Sequence, residues 1–255
     1  MDINSSPDIN SLKQMFEDLD KFGYYSILMV YHSLLPDYWI KCSNILDKDL
    51  KIKYMPAVRT YALSPEYFSM MYDAFEEIQE DRIVFNVLAG NILPEEKSLD
   101  NLIEISHPLD THHDRVLYTK KWLAALKRIR SDKKFPSIVI SGTSADSLES
   151  AVEYGEYSLC MMDDYLENMN KYSNVKNKMV SAIIVIRDSN EEAFNFIKGL
   201  KPYEQKYCIA GTEDYVILFI KKLSDYGVTD IMIRPSLLDK ETHRIHSMVK
   251  KLTEY

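Results

Sequence analysis

Two rhythms of apolar residues alternate along the chain. Leu12, Met15, Phe16 and Leu19 recur at helical spacing over 9–22, and Gly23 supplies a stop, so the pattern predicts an opening helix. The segment YYSILMVYH then runs apolar without a break and reads as a strand ending at His32. KIKYMPAV is a second such strand. Ser64 as N-cap and Pro65 at the first helical position open a helix through Phe75 and Ile78. IVFNVLAG is the third strand. Beyond it the pattern gives helix over 114–129, strand over 136–140, helix over 145–154 and strand over 157–161. A strand over 179–186, helices over 191–200 and 212–226, a strand over 230–233 and a last helix over 240–252 complete the series.

Strands that are apolar throughout and separated by amphipathic helices predict a parallel sheet covered on both faces. The count is seven such strands, with no glycine-rich dinucleotide fingerprint. That favours a TIM (β/α)8-type barrel over an open doubly wound sheet, in one domain spanning 1–255. In a barrel the working groups stand at the C-terminal ends of the strands. The positions to watch are therefore His32, Arg59, Ala89-Gly90-Asn91, Ser141-Gly142-Thr143-Ser144, Met161-Met162, Arg187 and Arg234.

Composition narrows the classes. At 255 residues and 46% hydrophobic content the chain can bury one substantial core, and a net charge of -8 argues against nucleic acid or an anionic membrane as partner. No apolar run nears the roughly 20 residues of a membrane span, and MDINSSPDIN lacks signal-peptide character, so the expected location is cytoplasmic. The three cysteines, Cys42, Cys160 and Cys208, are widely separated and read as buried reduced thiols.

Several residue types in these places can carry chemistry. Ser141 to Ser144 lie between a strand and a helix N-terminus, where backbone N–H groups and hydroxyls suit a phosphate; an ordinary N-cap needs the same residues. Arg59 suits an anionic substrate group, a cofactor oxygen or a structural carboxylate. His32 can act as acid or base near neutral pH, or serve packing alone. Adjacent His112-His113 diverge on a helix. His243 and His246 could share a face but lack an evident third ligand, so no metal is expected.

The stretch KIKYMPAVRTYALSPEYFSMMYDAFEEIQEDRIVFNVLAGN resembles the bacterial luciferase-like flavin-dependent monooxygenases, closest to their alkanesulfonate monooxygenase branch. The shared features are Ala57-Val58-Arg59 ending a strand, Ser64-Pro65, Asp81-Arg82 in place of Gly-Arg, and Phe85-Asn86 followed by Gly90. The likeness continues in order through THHDRVLYTKKWL, ISGTSADSLESAVEYGEYSL, VIRDSNEEA and AGTEDYVILFIKKLSDYGVTDIMI. It implies a barrel that binds reduced FMN delivered by a flavin reductase and oxidises a small organic substrate through a flavin C4a-peroxide. It also implies that small Ala89 and Gly90 let the flavin ring approach the backbone, that Ser141, Gly142, Thr143 and Ser144 hold its phosphate with Tyr118 nearby, and that His32, Arg59 and Asn91 face the substrate. Pairing through early helices into a homodimer follows from the same resemblance.

The chain also departs from that family. MDINSSPD shows no strand pattern where a first strand belongs, which predicts a truncated barrel whose gap is covered by the N-terminal segment or a second subunit. The arginine-bearing lid is reduced to Glu204-Gln205-Lys206. Ser181 and Ile183 stand where the sulfonate branch has arginine and histidine, Val116 replaces a tyrosine and Leu35 a cysteine. These departures keep open a second expectation, a non-catalytic flavin-binding protein or inactive partner subunit, and leave FMN against a deazaflavin undecided.

Overall fold

The computed structural model describes residues 8–30, 38–45, 49–90, 111–234 and 240–253. The chain divides into two compact units, one of Asp2–Phe16 with Tyr25–Glu156, the other of Glu17–Tyr24 with Tyr157–Tyr255.

The first unit is built on four parallel strands, β1 Ser26–Met29, β2 Lys53–Arg59, β3 Phe85–Leu88 and β4 Ile138–Ser141, paired in chain order. Around them run α1 Ile9–Lys21, α2 Tyr38–Ile45, α3 Pro65–Ile78, α4 His112–Ile129 and α5 Ala145–Tyr154. From Tyr54 to Arg59 every residue of β2 is buried, as expected of a strand covered on both faces. Pro56, which has no N–H to offer, falls between the Tyr54–Ile83 bridge and the ladder to β3 that begins at Ala57, so the pairing of β2 with β3 is interrupted there. Between helices and sheet lies an aromatic cluster. Phe68 packs edge-on to Trp39, Phe85 and Trp122, while Trp39 stacks on Phe85 at 4.9 Å. The expected N-caps are in place: Ser64 Oγ accepts from Tyr67 N and Ser144 Oγ from Ser147 N.

Arg130, only 4% exposed, closes α4. Its Nη1 donates to Ser69 Oγ and to Asp73 Oδ1, each at 2.8 Å, and its Nε to the Lys134 carbonyl at 2.8 Å. The guanidinium also lies over the Tyr72 ring at 4.6 Å, so one side chain ties α4 to α3 through polar and stacking contacts together.

The second unit holds β5 Tyr157–Met161, β6 Asn177–Ile186, β7 Cys208–Gly211 and β8 Asp230–Arg234. Its helices are α6 Met162–Asn168, α7 Asn190–Ile197, α8 Pro202–Gln205, α9 Glu213–Asp225 and α10 Thr242–Thr253. The described strands number eight, one more than the sequence pattern gave. The addition is β7, four residues long and placed directly before the N-cap Thr212, too short to separate from the following helix by periodicity. Both Cys208 of β7 and Arg234 of β8 pair with Ile183, so these strands must occupy opposite edges of β6. β5 and β8 likewise share Met179 to Ser181 as partners. It follows that β7 lies on the same edge as β5, beyond its end, as an extension of the sheet rather than a further turn of the barrel. Among the described residues β1 pairs only with β2, and β8 only with β6. The covering segment expected for a missing first strand falls on residues 1–7, outside those described.

The turn after α1 docks on α10. Phe22 stacks on His246 at 4.8 Å, the Tyr24 hydroxyl is 3.0 Å from its Nδ1, and a Cβ on Gly23, whose φ is 81°, would come within 2.5 Å of Thr253 Oγ1. His246 is thus a packing residue, not one of a ligand pair. Burial foremost, then the positive field of His243, holds its pKa below the usual histidine value, against an opposing contribution from Asp18. A histidine with a depressed folded pKa binds its proton more readily in the unfolded chain. Unfolding free energy should therefore fall as pH drops below about 6.5 toward 5. Urea melts at stepped pH check this: His246→Gln should flatten the slope in that window, and an unchanged slope would contradict the assignment.

Candidate functional site

In the first unit the ends of β2, β3 and β4 form one row, with Arg59 paired to Leu88 and Leu88 to Ser141. Most of the strand-end residues singled out from the sequence meet here; His32 and Asn91 lie outside the described residues.

Gly90 follows β3 with φ 65°, a left-handed conformation in which a side chain is strained. A Cβ there would lie 3.1 Å from Arg59 Nε and 3.3 Å from its Cδ. The close approach inferred at Ala89-Gly90 is therefore made, in this structure, by the Arg59 side chain. Ala89 itself is buried. Arg59, 8% exposed, donates from Nη1 to the Tyr61 hydroxyl at 2.7 Å. From the other direction Arg115 Nε donates to the Gly90 carbonyl at 3.0 Å. Arg115 is held by its own helix: Thr119 Oγ1 donates to the Arg115 carbonyl at 2.9 Å, and Thr60 Oγ1 lies 2.8 Å from Thr119 Oγ1. With its one proton so committed, Thr119 receives that of Thr60. Two buried guanidinium groups thus bracket the end of β3.

No pattern in the sequence marks Thr60, Thr119 or Arg115; the last stands in THHDRVLYTKKWL, one residue before Val116. Tyr118 lies on α4 and is half-buried.

The β4 to α5 turn is shaped by Gly142, with φ 145° and a Cβ position 2.7 Å from Ser147 Oγ. Ser141 Oγ donates to Asn86 Oδ1 at 2.5 Å, which fixes the end of β4 to β3. Ser144 Oγ caps α5 and lies 2.8 Å from Ser147 Oγ, while Thr143 is exposed. Of the three hydroxyls expected to cradle a phosphate, Ser141 and Ser144 are engaged within the chain. Thr143 and the backbone N–H groups at the start of α5 remain to face a ligand. Asp146 in the first turn opposes an anion in part. The turn fits a phosphate through its backbone more than through its side chains.

Burial pushes the Cys160 and Cys208 thiols up to about 11, so neither is a thiolate at neutral pH; Cys160 is buried as expected, Cys208 is half-buried, and the Cys42 side chain lies outside those described. Among the described residues no group of three or more His, Cys, Asp and Glu is placed to hold a metal ion, and no helix is long and apolar enough to cross a membrane. Where a lid was expected to be reduced, Lys206 and Tyr207 alone separate α8 from β7.

No family model matches the chain. Solved structures do. EDTA monooxygenase from Chelativorans sp. BNC1 matches with a TM-score of 0.76 at 12% identity, over 97% of this chain and 86% of that one. Long-chain alkane monooxygenase matches with a TM-score of 0.73 at 10% identity, over 97% and 84%. Coenzyme F420 dependent tetrahydromethanopterin reductase from Methanopyrus kandleri matches with a TM-score of 0.71 at 12% identity, over 96% and 94%. The chain shares with these proteins the parallel α/β fold of the TIM (β/α)8 type, as its strand and helix pattern predicts.

Proposed function

We propose that the chain is a reduced-FMN-dependent monooxygenase acting on a small organic substrate, fed by a separate flavin reductase in the cytoplasm. The observation that carries this reading is the bracketed end of β3 beside the glycine turn at the start of α5. Arg59 and Arg115 bring two guanidinium groups, with their N–H donors, to Gly90, which suits the electron-rich ring of a reduced flavin. The Gly142 turn and the α5 N-terminus suit its phosphate. Two of the matched structures are named as monooxygenases. Bound reduced FMN would supply the electrons that activate dioxygen. The chain's own residues would bind, orient and shield: Arg115 is tied to the Gly90 carbonyl, and Asn86 holds Ser141. His32 and Asn91 are proposed to face the substrate.

Anaerobic titration with reduced FMN, and in parallel with reduced F420, tests this. Saturable binding of reduced FMN in preference to F420, followed on admission of oxygen by reoxidation slower than that of free reduced FMN, is the expected result. Binding of F420 alone would reassign the cofactor, as the matched F420-dependent reductase makes conceivable.

A second reading, a flavin-binding protein or partner subunit without oxygenase activity, is favoured by two observations. α8 leads almost directly into β7, leaving no segment there to close over a site, and uncharged Ser181 and Ile183 occupy the middle of β6. Tight binding of oxidised FMN with reoxidation as fast as in solution would select it.

The proposed homodimer has a physical candidate in α3. Tyr67, Met70, Ala74 and Ile78 follow one another along an exposed face, with Tyr67 55%, Met70 67% and Ile78 50% exposed. If a second copy covers this stripe, Met70→Glu should convert a dimer to monomer in sedimentation equilibrium without altering the far-UV spectrum. A dimer that survives the substitution places the interface elsewhere.

A further inference from the structure

Three arginines end strands or directly follow them, and their surroundings separate them. Arg59 is buried against Gly90 and Tyr61. Arg187 donates to the Ile186 carbonyl at 2.7 Å, lies 3.9 Å from Glu241 Oε1 and is stacked over Phe196 at 4.4 Å. Both are engaged by contacts within the chain. Arg234 is different: it is exposed, and no carboxylate among the described residues lies within ion-pair distance of it.

What Arg234 does have is a platform. Its guanidinium lies 5.6 Å over the ring of Tyr207, a residue 4% exposed whose carbonyl accepts from Ile183 N at 3.0 Å, and its Nη1 is 3.9 Å from Met161 Sδ. The aromatic face consumes none of the guanidinium's donors, and the thioether, a weak acceptor, engages Nη1 alone. The N–H edge stays available for two parallel bonds to an anion. A second polar group faces the same way. The register pairs Met161 with Ser181, Ser181 with Met232 and Ile183 with Arg234, so Ser181 and Arg234 project from one face of the sheet, one row apart. Ser181 is 2% exposed and its hydroxyl has no hydrogen-bond partner among the described residues, a cost that an oxygen of a ligand would relieve. The flanking Met161 and Met232 are unbranched and only half-buried, and such side chains can yield to a ligand.

We propose that Arg234, laid on the Tyr207 ring at the C-terminal end of β8, binds the anionic group of a small ligand, a carboxylate, sulfonate or phosphate, with Ser181 as a second donor. That the anion belongs to a substrate or to the cofactor rests on the reduced-flavin reading; the anion site itself does not.

Calorimetric titration of the full chain with succinate and with inorganic phosphate tests the site. Wild-type protein should bind at least one of them, Arg234→Met should weaken that binding at least about tenfold, and Arg234→Lys should restore part of it, since lysine keeps the charge and loses the fork. Ser181→Ala should weaken it by a smaller factor. Because Arg234 is exposed, Arg234→Met should melt as wild type does, which separates loss of the site from loss of the fold. Unchanged anion binding in Arg234→Met, or no binding of either anion by the wild type, overturns the proposal. FMN and riboflavin distinguish the sources. If Arg234→Met loses the preference for FMN over riboflavin, the anion is the cofactor's phosphate; if that preference stands while succinate binding falls, it belongs to the substrate. Wild-type protein that binds succinate but no flavin would refute the flavin reading and leave this site standing.

Discussion

Replacing Arg130 by Met should lower the stability of the first unit by about 3 kcal/mol, the scale for breaking a largely buried ion pair and its hydrogen bonds. The side chain is 3% exposed while its partner Asp73 is 36% exposed, so solvent recovers part of the lost interaction on the acid's side, and the upper end of the range is not expected. Four acceptors lose a donor at once: Ser69 Oγ, the Ser69 carbonyl, Asp73 Oδ1 and the Lys134 carbonyl. Asp73 keeps Lys133 at 2.9 Å, the foremost cause of its lowered pKa, which again limits the damage. Tyr72 loses the cation over its ring. For a chain of this length such a loss lowers the melting midpoint by about 6–12 °C. Arg130→Lys should fall between, because an ammonium cannot reach Ser69, Asp73 and the Lys134 carbonyl together. A circular dichroism melt checks both variants, and a shift of under about 2 °C for the Met variant would mean that the two helices do not depend on this tie.

Gly142→Val should weaken reduced-FMN binding by at least about tenfold while leaving the sheet intact. Its φ of 145° admits a side chain only with strain, of order 1–3 kcal/mol. The added Cβ would also meet Ser147 Oγ at 2.7 Å and Ser147 Cβ at 3.0 Å, so the turn must move away from the start of α5. Moving it turns the backbone N–H groups off a phosphate, which the engaged hydroxyls of Ser141 and Ser144 cannot replace. Adding Ser147→Ala should recover part of the affinity by removing the nearer contact, whereas a merely unstable protein would not be rescued in this way. Flavin affinity measured by fluorescence decides it. A Gly142→Val protein that binds reduced FMN as the wild type does would move the phosphate elsewhere.

Much of the fold was legible because its signals are local. The helix starts at Ser64-Pro65 and Ser144-Ala145 follow from capping chemistry, and the buried strands follow from unbroken apolar runs. β7 was not legible, since four residues running into a helix N-cap carry no period of their own. α6 was missed for a related reason, being seven residues long and beginning directly after β5. At the candidate site the glycines were legible as points of close approach, but not what approaches them. Whether Arg59 or a ligand fills the space at Gly90 depends on how β2 and β3 lie side by side. Arg115 comes from a helix far along the chain and enters the site through a backbone carbonyl, a partner that no sequence pattern marks.

The placement of β7 bears on where this chain can tolerate change. β5 stops at Met161 opposite Ser181, and β7 starts at Cys208 opposite Ile183, so Ala182 alone spans the gap along that edge of β6. A residue inserted into β5 has no vacant position ahead of it and must bulge out of the sheet or push the next strand off its partner. The stretch between α8 and β7 is under no such limit, because its ends are fixed by neighbouring elements and added length can loop outward at little entropic cost. Lengthening along this edge of β6 is therefore taken up in the connection ahead of β7, while the strand edge itself is closed to it.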